Sequence, residues 1–213
     1  AMPAYNEGPV IGNVVSNLKA NGYYDILVVD DCSKDDTSAQ AKKADATVIR
    51  HVINRGAGAA TATAISYARK NDYDFLVLMD ADGQHSPADV EPLLLCAQSH
   101  DVVIGSRNID DESMPLVRRI ANRVGSIVTW FFFGKYVRDS QSGFKVFNKR
   151  ALKTITITFD RFEFCSEIIG EINRNNLSVS EVPITVIYTE HSQSKGQSIV
   201  NGFKMIARFV LRS

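Results

Sequence analysis

Residues 75–85 read Phe-Leu-Val-Leu-Met-Asp-Ala-Asp-Gly-Gln-His, an apolar run followed at once by a polar cluster. The apolar run is bounded by polar residues and by a glycine-containing turn, which predicts a buried strand over 75–79. Asp80 and Asp82 follow at its carboxyl end, where open α/β sheets bind ligands. Carboxylate and amide oxygens suit a hard divalent cation that carries phosphates. A polar turn that caps the next helix at Ser86 and Pro87 also explains these residue types, so both interpretations remain open at this point.

Outward from this strand, apolar and amphipathic segments alternate through the first half of the chain. Strands are predicted over 24–29, 46–51, 75–79 and 101–104, and helices over 8–22, from about 36, over 56–70 and over 87–99. This alternation predicts an α/β fold: a Rossmann-like, doubly wound, mostly parallel sheet with helices on both faces. The second half predicts helices over 115–133, 162–175 and 198–212, and strands over 144–147, 178–182 and 185–188.

The bulk composition predicts a globular chain with a single domain over residues 1–213. Hydrophobic residues make up 45% of the chain, and the net charge is zero, so a nucleic-acid partner is not expected. The 3 cysteines have no paired spacing, which favours a reducing compartment. No transmembrane span is predicted. Residues 1–5 resemble the loop after a strand, so an N-terminal strand and a C-terminal membrane extension are expected outside this chain.

Loops with acidic or small turn residues follow several predicted strands, at 3–7, at Asp30-Asp31 and at 80–82. In a parallel sheet they share one rim, which has room for a base, a ribose and a metal-bound pyrophosphate. The glycine pattern of dinucleotide-binding folds is missing, since Gly8 stands alone and residues 56–58 are not followed by a third glycine in register. No Gly-Lys-Ser/Thr loop occurs either. Phosphate charge is therefore expected to be met by a cation.

Four motifs then occur in order: Pro-Ala-Tyr-Asn-Glu at 3–7, Val-Val-Asp-Asp-x-Ser-x-Asp-x-Thr at 28–37, Asp-Ala-Asp-Gly-Gln-His at 80–85 and Gly-Ser-Arg at 105–107. In this order and spacing they resemble family 2 glycosyltransferases of the GT-A fold. The segment 139–145, Asp-Ser-Gln-Ser-Gly-Phe-Lys, is similar to one in dolichol-phosphate mannose synthases and bacterial polyprenyl-phosphate glycosyltransferases. The resemblance implies a nucleotide-sugar-binding half at 1–110 and an acceptor-binding half at 111–213.

The resemblance also implies roles for individual residues on the donor side. Residues expected to bind the nucleotide sugar are Pro3, Tyr5, Glu7, Asp30, Asp31, Asp80, Ala81 and, from a late loop, Lys195. Asp82 and Gln84 match the metal ligands of the family, which implies Mg²⁺ or Mn²⁺ as the cofactor. Zinc is not expected, because no His/Cys cluster exists. His85 is expected to be a hydrogen-bonding turn residue.

On the acceptor side, the matching positions are those that grip a lipid phosphate in the family: Arg107, Arg118, Ser142 and Lys145. Together with Asp82, the first three are the expected catalytic residues. A solvated helix face is an equally open interpretation of Arg118. Asp139 is expected to hold the loop over 139–145, or the basic residues beside it, in place. Glu167 lies where relatives that glycosylate hydroxyls keep a catalytic base, so it is the candidate base.

The resemblance implies a metal-dependent inverting glycosyltransferase that moves a sugar from a UDP- or GDP-linked donor to a polyprenyl or dolichyl phosphate. The alternative acceptor is a hydroxyl of a glycan or cell-wall polymer. A nucleotidyltransferase is disfavoured because an early glycine-rich basic loop is missing, and an inactive binding module because Asp80 and Asp82 are both present.

The last predicted helix carries basic residues at 204, 208 and 212 among apolar ones. A basic amphipathic helix can lie on an anionic membrane surface, which predicts a peripheral location at the cytoplasmic face. Packing on the domain, or leading into a membrane segment, are the alternatives. The sequence does not predict the oligomeric state.

Overall fold

The structure is a computed structural model that describes residues 1–107, 126–127, 129–131, 134–161 and 163–187. The strands are β1 (Met2–Ala4), β2 (Leu27–Asp30), β3 (Thr47–Arg50), β4 (Phe75–Leu78), β5 (Val102–Arg107), β6 (Lys145–Asn148) and β7 (Val179–Ile184). The helices are α1 (Gly8–Ala20), α2 (Thr37–Lys43), α3 (Ala57–Lys70), α4 (Val90–Ala97), α5 (Lys149–Thr154) and α6 (Phe164–Arg174), with a 3-10 turn at Pro87–Asp89. The predicted alternation of strands and helices is confirmed from α1 to β5.

The strands form two sheets that meet at Ala1. One sheet has the order β1-β2-β3 and is parallel throughout, and the other has the order β4-β6-β5-β7. The carbonyl of Ala1 accepts a hydrogen bond from Met79 N at 3.0 Å, and the Ala1 amino group donates to Val77 O at 2.6 Å. The chain just before β1 therefore runs beside β4 and joins the two sheets.

Strand alternation sends neighbouring side chains to opposite faces of the second sheet. Val103 and Val146 pack into a core with α1 and α4, whereas Ile104 and Phe147 pack into a core with α3, α5 and α6. Residue Leu78 of β4 joins the second of these cores. The α/β fold with helices on both faces is confirmed.

The second sheet departs from the parallel order that the sequence predicted. β6 lies between β4 and β5 and runs antiparallel to both, while β5 and β7 are parallel. The strict alternation of strands and helices ends at β5, so the rule for parallel crossovers does not govern how β6 enters the sheet. As a result, β6 begins at the edge of the sheet where β4 and β5 end.

Several local expectations were wrong. Residues 2–4 form a strand and not a loop, because buried Met2 and Ala4 pair with β2. Helix α5 was not predicted; it has 6 residues and is capped by Asn148, whose Oδ1 accepts from Ala151 N at 2.9 Å. The strand predicted over 178–182 is β7 and continues to Ile184, whereas of the strand predicted over 185–188 the described residues 185–187 form only an isolated bridge, from Val186 to His85.

The remaining predicted helices lie largely outside the described residues. Of the helix over 115–133, residues 126–127 and 129–131 are described and are helical. The helix over 198–212 falls entirely outside. Within the part of the chain that is described, no helix combines the length and apolar character needed to cross a membrane.

Candidate active site

The carboxyl ends of β1, β2, β4 and β5 bring the predicted acidic loops to one edge. The loop after β1 is tied to the loop after β2, since Asn6 N donates to Ser33 Oγ at 2.9 Å and Lys34 N donates to Asn6 Oδ1 at 2.8 Å. Asn6 adopts a left-handed conformation with φ of 56°, which asparagine tolerates better than most residues. These bonds fix the path of the 3–7 segment.

Asp30 is the last residue of β2, and its side chain is enclosed by the turn that follows. Its side chain is completely buried, Ser33 N donates to its Oδ1 at 2.8 Å, and the Ser38 hydroxyl donates to its Oδ2. Arg50 Nε lies 3.8 Å from the same Oδ2. The structure therefore gives Asp30 a bracing position, and contact with a nucleotide would require this network to open.

Asp31 organises the loop between β3 and α3. Its carboxylate accepts from Arg55 N at 3.0 Å and from Gly56 N at 2.6 Å, and it lies 2.8 Å from His51 Nδ1. Asp31 is 3% exposed. An open concavity of about 310 Å³ adjoins this loop and is lined by Arg50, His51, Val52, Ile53 and Arg55.

Asp80 presents a largely exposed carboxylate at the end of β4. Its side chain is 54% exposed, and His85 Nε2 lies 3.1 Å from its Oδ2. Desolvation by the surrounding protein raises its pKa, but the hydrogen bond to His85 and the charges of Arg107 and Lys145 outweigh this and lower it. Asp80 is therefore held as an ionised carboxylate.

The pKa of Asp82 is shifted in the opposite direction from that of Asp80. Desolvation and the negative charges of Asp80 and Glu7 raise its pKa, while a hydrogen bond from Gln84 N to Asp82 Oδ1 at 3.0 Å only partly offsets them. Two neighbouring carboxylates that cannot both ionise comfortably are typical of sites that bind cations or transfer protons.

Arg107 and Asp139 form the best-defined ion pair of the site. Arg107 donates from Nε to Asp139 Oδ2 at 2.6 Å and from Nη2 to Oδ1 at 2.7 Å, and its backbone N donates to Oδ2 at 3.1 Å. Although desolvation opposes both changes, the pair lowers the pKa of Asp139 and raises that of Arg107. The Arg107 side chain remains 26% exposed. Asp139 braces this arginine, as the sequence predicted.

Ser142 and Lys145 lie beneath the surface, although the sequence predicted that they contact the acceptor phosphate. They are 1% and 0% exposed, respectively. Ser142 Oγ accepts from Phe144 N at 3.2 Å, and Lys145 Nζ donates to the carbonyl of Ser142. In this arrangement Lys145 acts through its positive charge on Asp80 and Asp139. Direct contact of either residue with a phosphate stays a prediction that the geometry does not favour.

Glu167, the candidate base, has its carboxylate occupied. Thr158 N donates to Oε1 at 2.9 Å, Phe159 N donates to Oε2 at 3.0 Å, and the Thr158 hydroxyl donates to Oε1. Glu167 is 8% exposed. It therefore holds the backbone at 158–159, and the geometry does not favour a role as base.

The other predicted residues are placed as follows. Tyr5 is 40% exposed at the rim, Pro3 lies within β1, and Glu7 is nearly buried at the start of α1. Ala81 is 3% exposed and packs in the core. Arg118 and Lys195 lie outside the described residues.

The residues at this edge fit a magnesium or manganese ion that arrives with its phosphates. No group of three His, Cys, Asp or Glu side chains capable of holding a metal occurs among the described residues. Mg²⁺ is usually bound by one or two carboxylates together with substrate phosphates and water, so a complete protein cage is not required. Asp82 supplies a carboxylate whose pKa is raised by desolvation and by neighbouring negative charge, and the half-buried Gln84 supplies an amide oxygen.

Sequence reasoning missed two supports of this site. A Cβ at Gly143 would overlap the carboxylate of Asp80, so a larger residue there would have to displace that carboxylate; the place of Gly143 beside Ser142 in the 139–145 motif was the available signal. Glu181 accepts hydrogen bonds from the backbone N of Arg138 and of Asp139, at 3.0 and 3.1 Å. Nothing in the sequence around Glu181 indicates this contact, which depends on the pairing of β7 with β5.

This α/β fold, with helices on both faces and acidic loops at one sheet edge, is the architecture of the GT-A type. The family model described as glycosyl transferase family 2 matches residues 1–156, and the chain belongs to this family. It is therefore a glycosyltransferase.

Two relatives of this chain are named for the transfer of a sugar to a lipid phosphate. The UDP-N-acetylglucosamine–dolichyl-phosphate N-acetylglucosaminyltransferase of Methanococcus voltae is 36% identical over 99% of this chain and 93% of its own length. The undecaprenyl-phosphate mannosyltransferase of Micrococcus luteus is 30% identical over 94% of this chain and 90% of its own length. The resemblance to polyprenyl-phosphate glycosyltransferases is thus confirmed.

Among solved structures, glucosyl-3-phosphoglycerate synthase from Mycobacterium tuberculosis, in complex with Mn²⁺ and UDP-glucose, superposes with a TM-score of 0.73. It is 17% identical, and the match covers 98% of this chain and 74% of the other. At this identity the similarity establishes the fold, and the GT-A prediction is confirmed.

Proposed function

We propose that this protein transfers a sugar from a nucleotide-sugar donor to a polyprenyl or dolichyl phosphate. The reaction inverts the anomeric carbon and requires Mg²⁺ or Mn²⁺. The acceptors named for its relatives, dolichyl phosphate and undecaprenyl phosphate, support the lipid phosphate. UDP is the first donor nucleotide to test, with GDP second, because the name of one relative specifies UDP-N-acetylglucosamine.

The proposed metal dependence rests on the two carboxylates at the end of β4, whose pKa values are shifted in opposite directions. The hydrogen bond with His85 and the charges of Arg107 and Lys145 lower the pKa of Asp80, whereas desolvation and the negative charges of Asp80 and Glu7 raise the pKa of Asp82. A divalent cation at Asp82 would relieve this repulsion and would bring a diphosphate to the same edge. The metal and the donor are thus expected to bind together.

For this reaction the protein must orient the donor diphosphate and the acceptor phosphate and must balance their negative charge. When bound, the metal supplies Lewis-acid stabilisation of the departing diphosphate. Arg107 is held by Asp139 in a fixed fork and keeps an exposed edge, so it can orient an acceptor phosphate for in-line attack. A phosphate oxygen is already ionised near neutral pH, so no general base is needed. This agrees with Glu167 being occupied by backbone amides.

Contact with a membrane surface is part of the proposal. Residues 126–127 and 129–131 are helical; among them Ser126 and Thr129 are buried, and their hydroxyls lie 3.4 Å from that of Ser140 in the loop over 139–144, here called the acceptor loop. Among the same described residues Trp130 is 52% exposed and Phe131 is 80% exposed. Aromatic side chains favour the boundary between membrane and water, which supports peripheral binding to a membrane surface. The cytoplasmic face is the side that we propose.

A transfer assay tests the reaction directly. Radiolabelled UDP- and GDP-sugars are incubated with polyprenyl phosphate in the presence of Mn²⁺ or of a chelator, and lipid-linked product is extracted and counted. We expect product with Mn²⁺, none with the chelator, and a loss of at least about 100-fold in Asp82→Ala, corresponding to roughly 2.7 kcal/mol of transition-state stabilisation. Asp72→Ala is the matched control, since this aspartate is 77% exposed and pairs with Lys149 away from the site. Lipid-linked product that forms equally well in Asp82→Ala would refute the proposal.

Membrane binding is tested separately by sedimentation with vesicles that contain anionic lipid. Replacing Trp130 and Phe131 by serine should reduce the bound fraction at least several-fold. Tyr24→Ser is the control, because Tyr24 is also an exposed aromatic side chain (72%) but lies on the short segment before β2. Equal binding of the double variant and the wild type would remove the membrane contact at this helix from the proposal.

A further inference from the structure

His85 is a buried imidazole that the proposed reaction does not use. Its side chain is 5% exposed, and its Nε2 lies 3.1 Å from Asp80 Oδ2. The other ring nitrogen, Nδ1, is buried and has no hydrogen-bond partner among the described residues. The contact with Asp80 is therefore the polar interaction that orients this ring.

The ring and the backbone of His85 are both held in place. Its ring packs on Phe144 with centroids 4.8 Å apart and planes at 51°, and Phe144 is fully buried. The backbone forms a bridge with Val186, and Ile187 N donates to the carbonyl of Gln84 at 2.9 Å. Rotation of the imidazole away from Asp80 would therefore disturb the core as well as the polar contact.

Gly143 restricts the Asp80 carboxylate further. Since a Cβ at position 143 would overlap both carboxylate oxygens of Asp80, the carboxylate lies against the backbone of the acceptor loop. Gly143 and Phe144 are consecutive residues of that loop. One short segment thus contacts the carboxylate directly and also supports the histidine that binds it.

We propose that His85 is a positioning residue that, together with Phe144 and Gly143, holds the Asp80 carboxylate in the orientation needed by the metal-bound nucleotide. Preorganised groups around a metal site avoid the cost of ordering their neighbours when the ligand binds. The inference rests on the proposed function, because it assigns a partner to the donor side of that site. It also links the acceptor loop to the donor carboxylate through a single pair of rings.

The same geometry specifies a tautomer. A hydrogen on Nε2 donates to Asp80 Oδ2 across the 3.1 Å contact. The other tautomer would place an unpaired N–H at a buried nitrogen and two acceptors face to face, which is costly. His85 is therefore assigned the hydrogen at Nε2.

Two variants separate positioning from packing. His85→Phe keeps a ring on Phe144 but removes the donor, and His85→Gln keeps a donor that can reach Asp80. His100→Gln is the control, since this histidine lies in the turn after α4 and contacts Cys96 and Ser99. Binding of Mn²⁺ with UDP, and with GDP, is measured by calorimetric titration, and KM for the nucleotide sugar is measured in the transfer assay.

We expect His85→Phe to weaken binding of the Mn²⁺–nucleotide complex about 10- to 100-fold and to raise KM accordingly, whereas His85→Gln recovers much of the affinity. Wild-type affinity in a folded His85→Phe protein would overturn the inference while leaving the proposed function intact. A wild-type protein that binds no Mn²⁺–nucleotide would instead overturn the proposed function and this inference with it.

A spectroscopic measurement keeps the inference testable even if His85→Phe does not fold. In the ¹⁵N spectrum of wild-type protein, with the His85 signals assigned by their loss in His85→Gln, Nε2 should have the shift of a protonated nitrogen. An Nε2 with the shift of a bare nitrogen would overturn the inference.

Discussion

The Arg107–Asp139 pair allows the most quantitative prediction. Asp139→Asn keeps the shape of the side chain but removes its charge and one of the two acceptor oxygens that receive three hydrogen bonds from Arg107. The Asp139 side chain has 0% exposure, so water does not replace what is lost. The guanidinium of Arg107 would then lie against an amide that cannot balance its charge.

The magnitude follows from the burial of the two partners. Removing one partner of a buried ion pair costs about 3–5 kcal/mol. Since Arg107 keeps 26% exposure and can be partly solvated, we expect the lower end, about 3 kcal/mol. For a chain of 213 residues this corresponds to a fall in Tm of roughly 6–12 °C.

Urea denaturation followed by circular dichroism measures the free energy of unfolding at pH 7. Asp160→Asn is the matched control: Asp160 also accepts two hydrogen bonds from an arginine, Arg55, but the partners are 43% and 55% exposed. Exposed pairs contribute at most about 1 kcal/mol, so the control should change little. Equal losses in the two variants would refute the argument from burial.

The pH dependence provides a second check on the same pair. Arg107 lowers the pKa of Asp139 in the folded state, so the stabilisation is fully present above the unfolded value of about 4 and is lost as pH falls through the folded value. The stability difference between wild type and Asp139→Asn should therefore be constant near neutral pH and shrink below pH of about 4. A difference that stays constant into that acid range would contradict the pairing.

Three further predictions follow from the site. The pKa of Asp82 is raised in the folded state, so ionisation of this carboxyl group destabilises the fold as pH rises above about 4. In a thermal-shift assay at pH 7 with a chelator, Asp82→Asn should therefore have a higher Tm than the wild type. The same variant should show no increase in Tm when Mn²⁺ and UDP are added. Gly143→Ala should weaken Mn²⁺–nucleotide binding at least 10-fold in a titration, because its Cβ displaces the Asp80 carboxylate; unchanged affinity would contradict the close approach. Glu167→Gln should cost about 1–3 kcal/mol of stability by urea denaturation while keeping kcat within a few-fold of wild type, since it binds backbone amides; a loss of kcat above 100-fold at unchanged fold would restore it as a base.

Much of the fold followed from the sequence because the signals were local. The apolar run at 75–79, the Gly8-Pro9 helix start and the regular alternation to β5 each depend on neighbours in the chain, and the structure agrees with them. The acidic pair at 80–82 was found for the same reason, since two carboxylates directly follow a buried strand. These features required only hydrophobic periodicity and turn chemistry.

Only the tertiary structure decided which functional groups face a ligand. β6 enters the sheet antiparallel between β4 and β5, which brings Gly143 and Phe144 against Asp80 and His85 and buries Lys145. Pairing of this kind joins residues some 60 positions apart and has no local signature, because burial is a property of the assembled layers. The sequence alone determined which types of side chain follow the strands at the edge of the sheet. Long-range packing determined which of these carboxylates and cationic side chains are exposed to a ligand, because burial depends on contacts between distant segments.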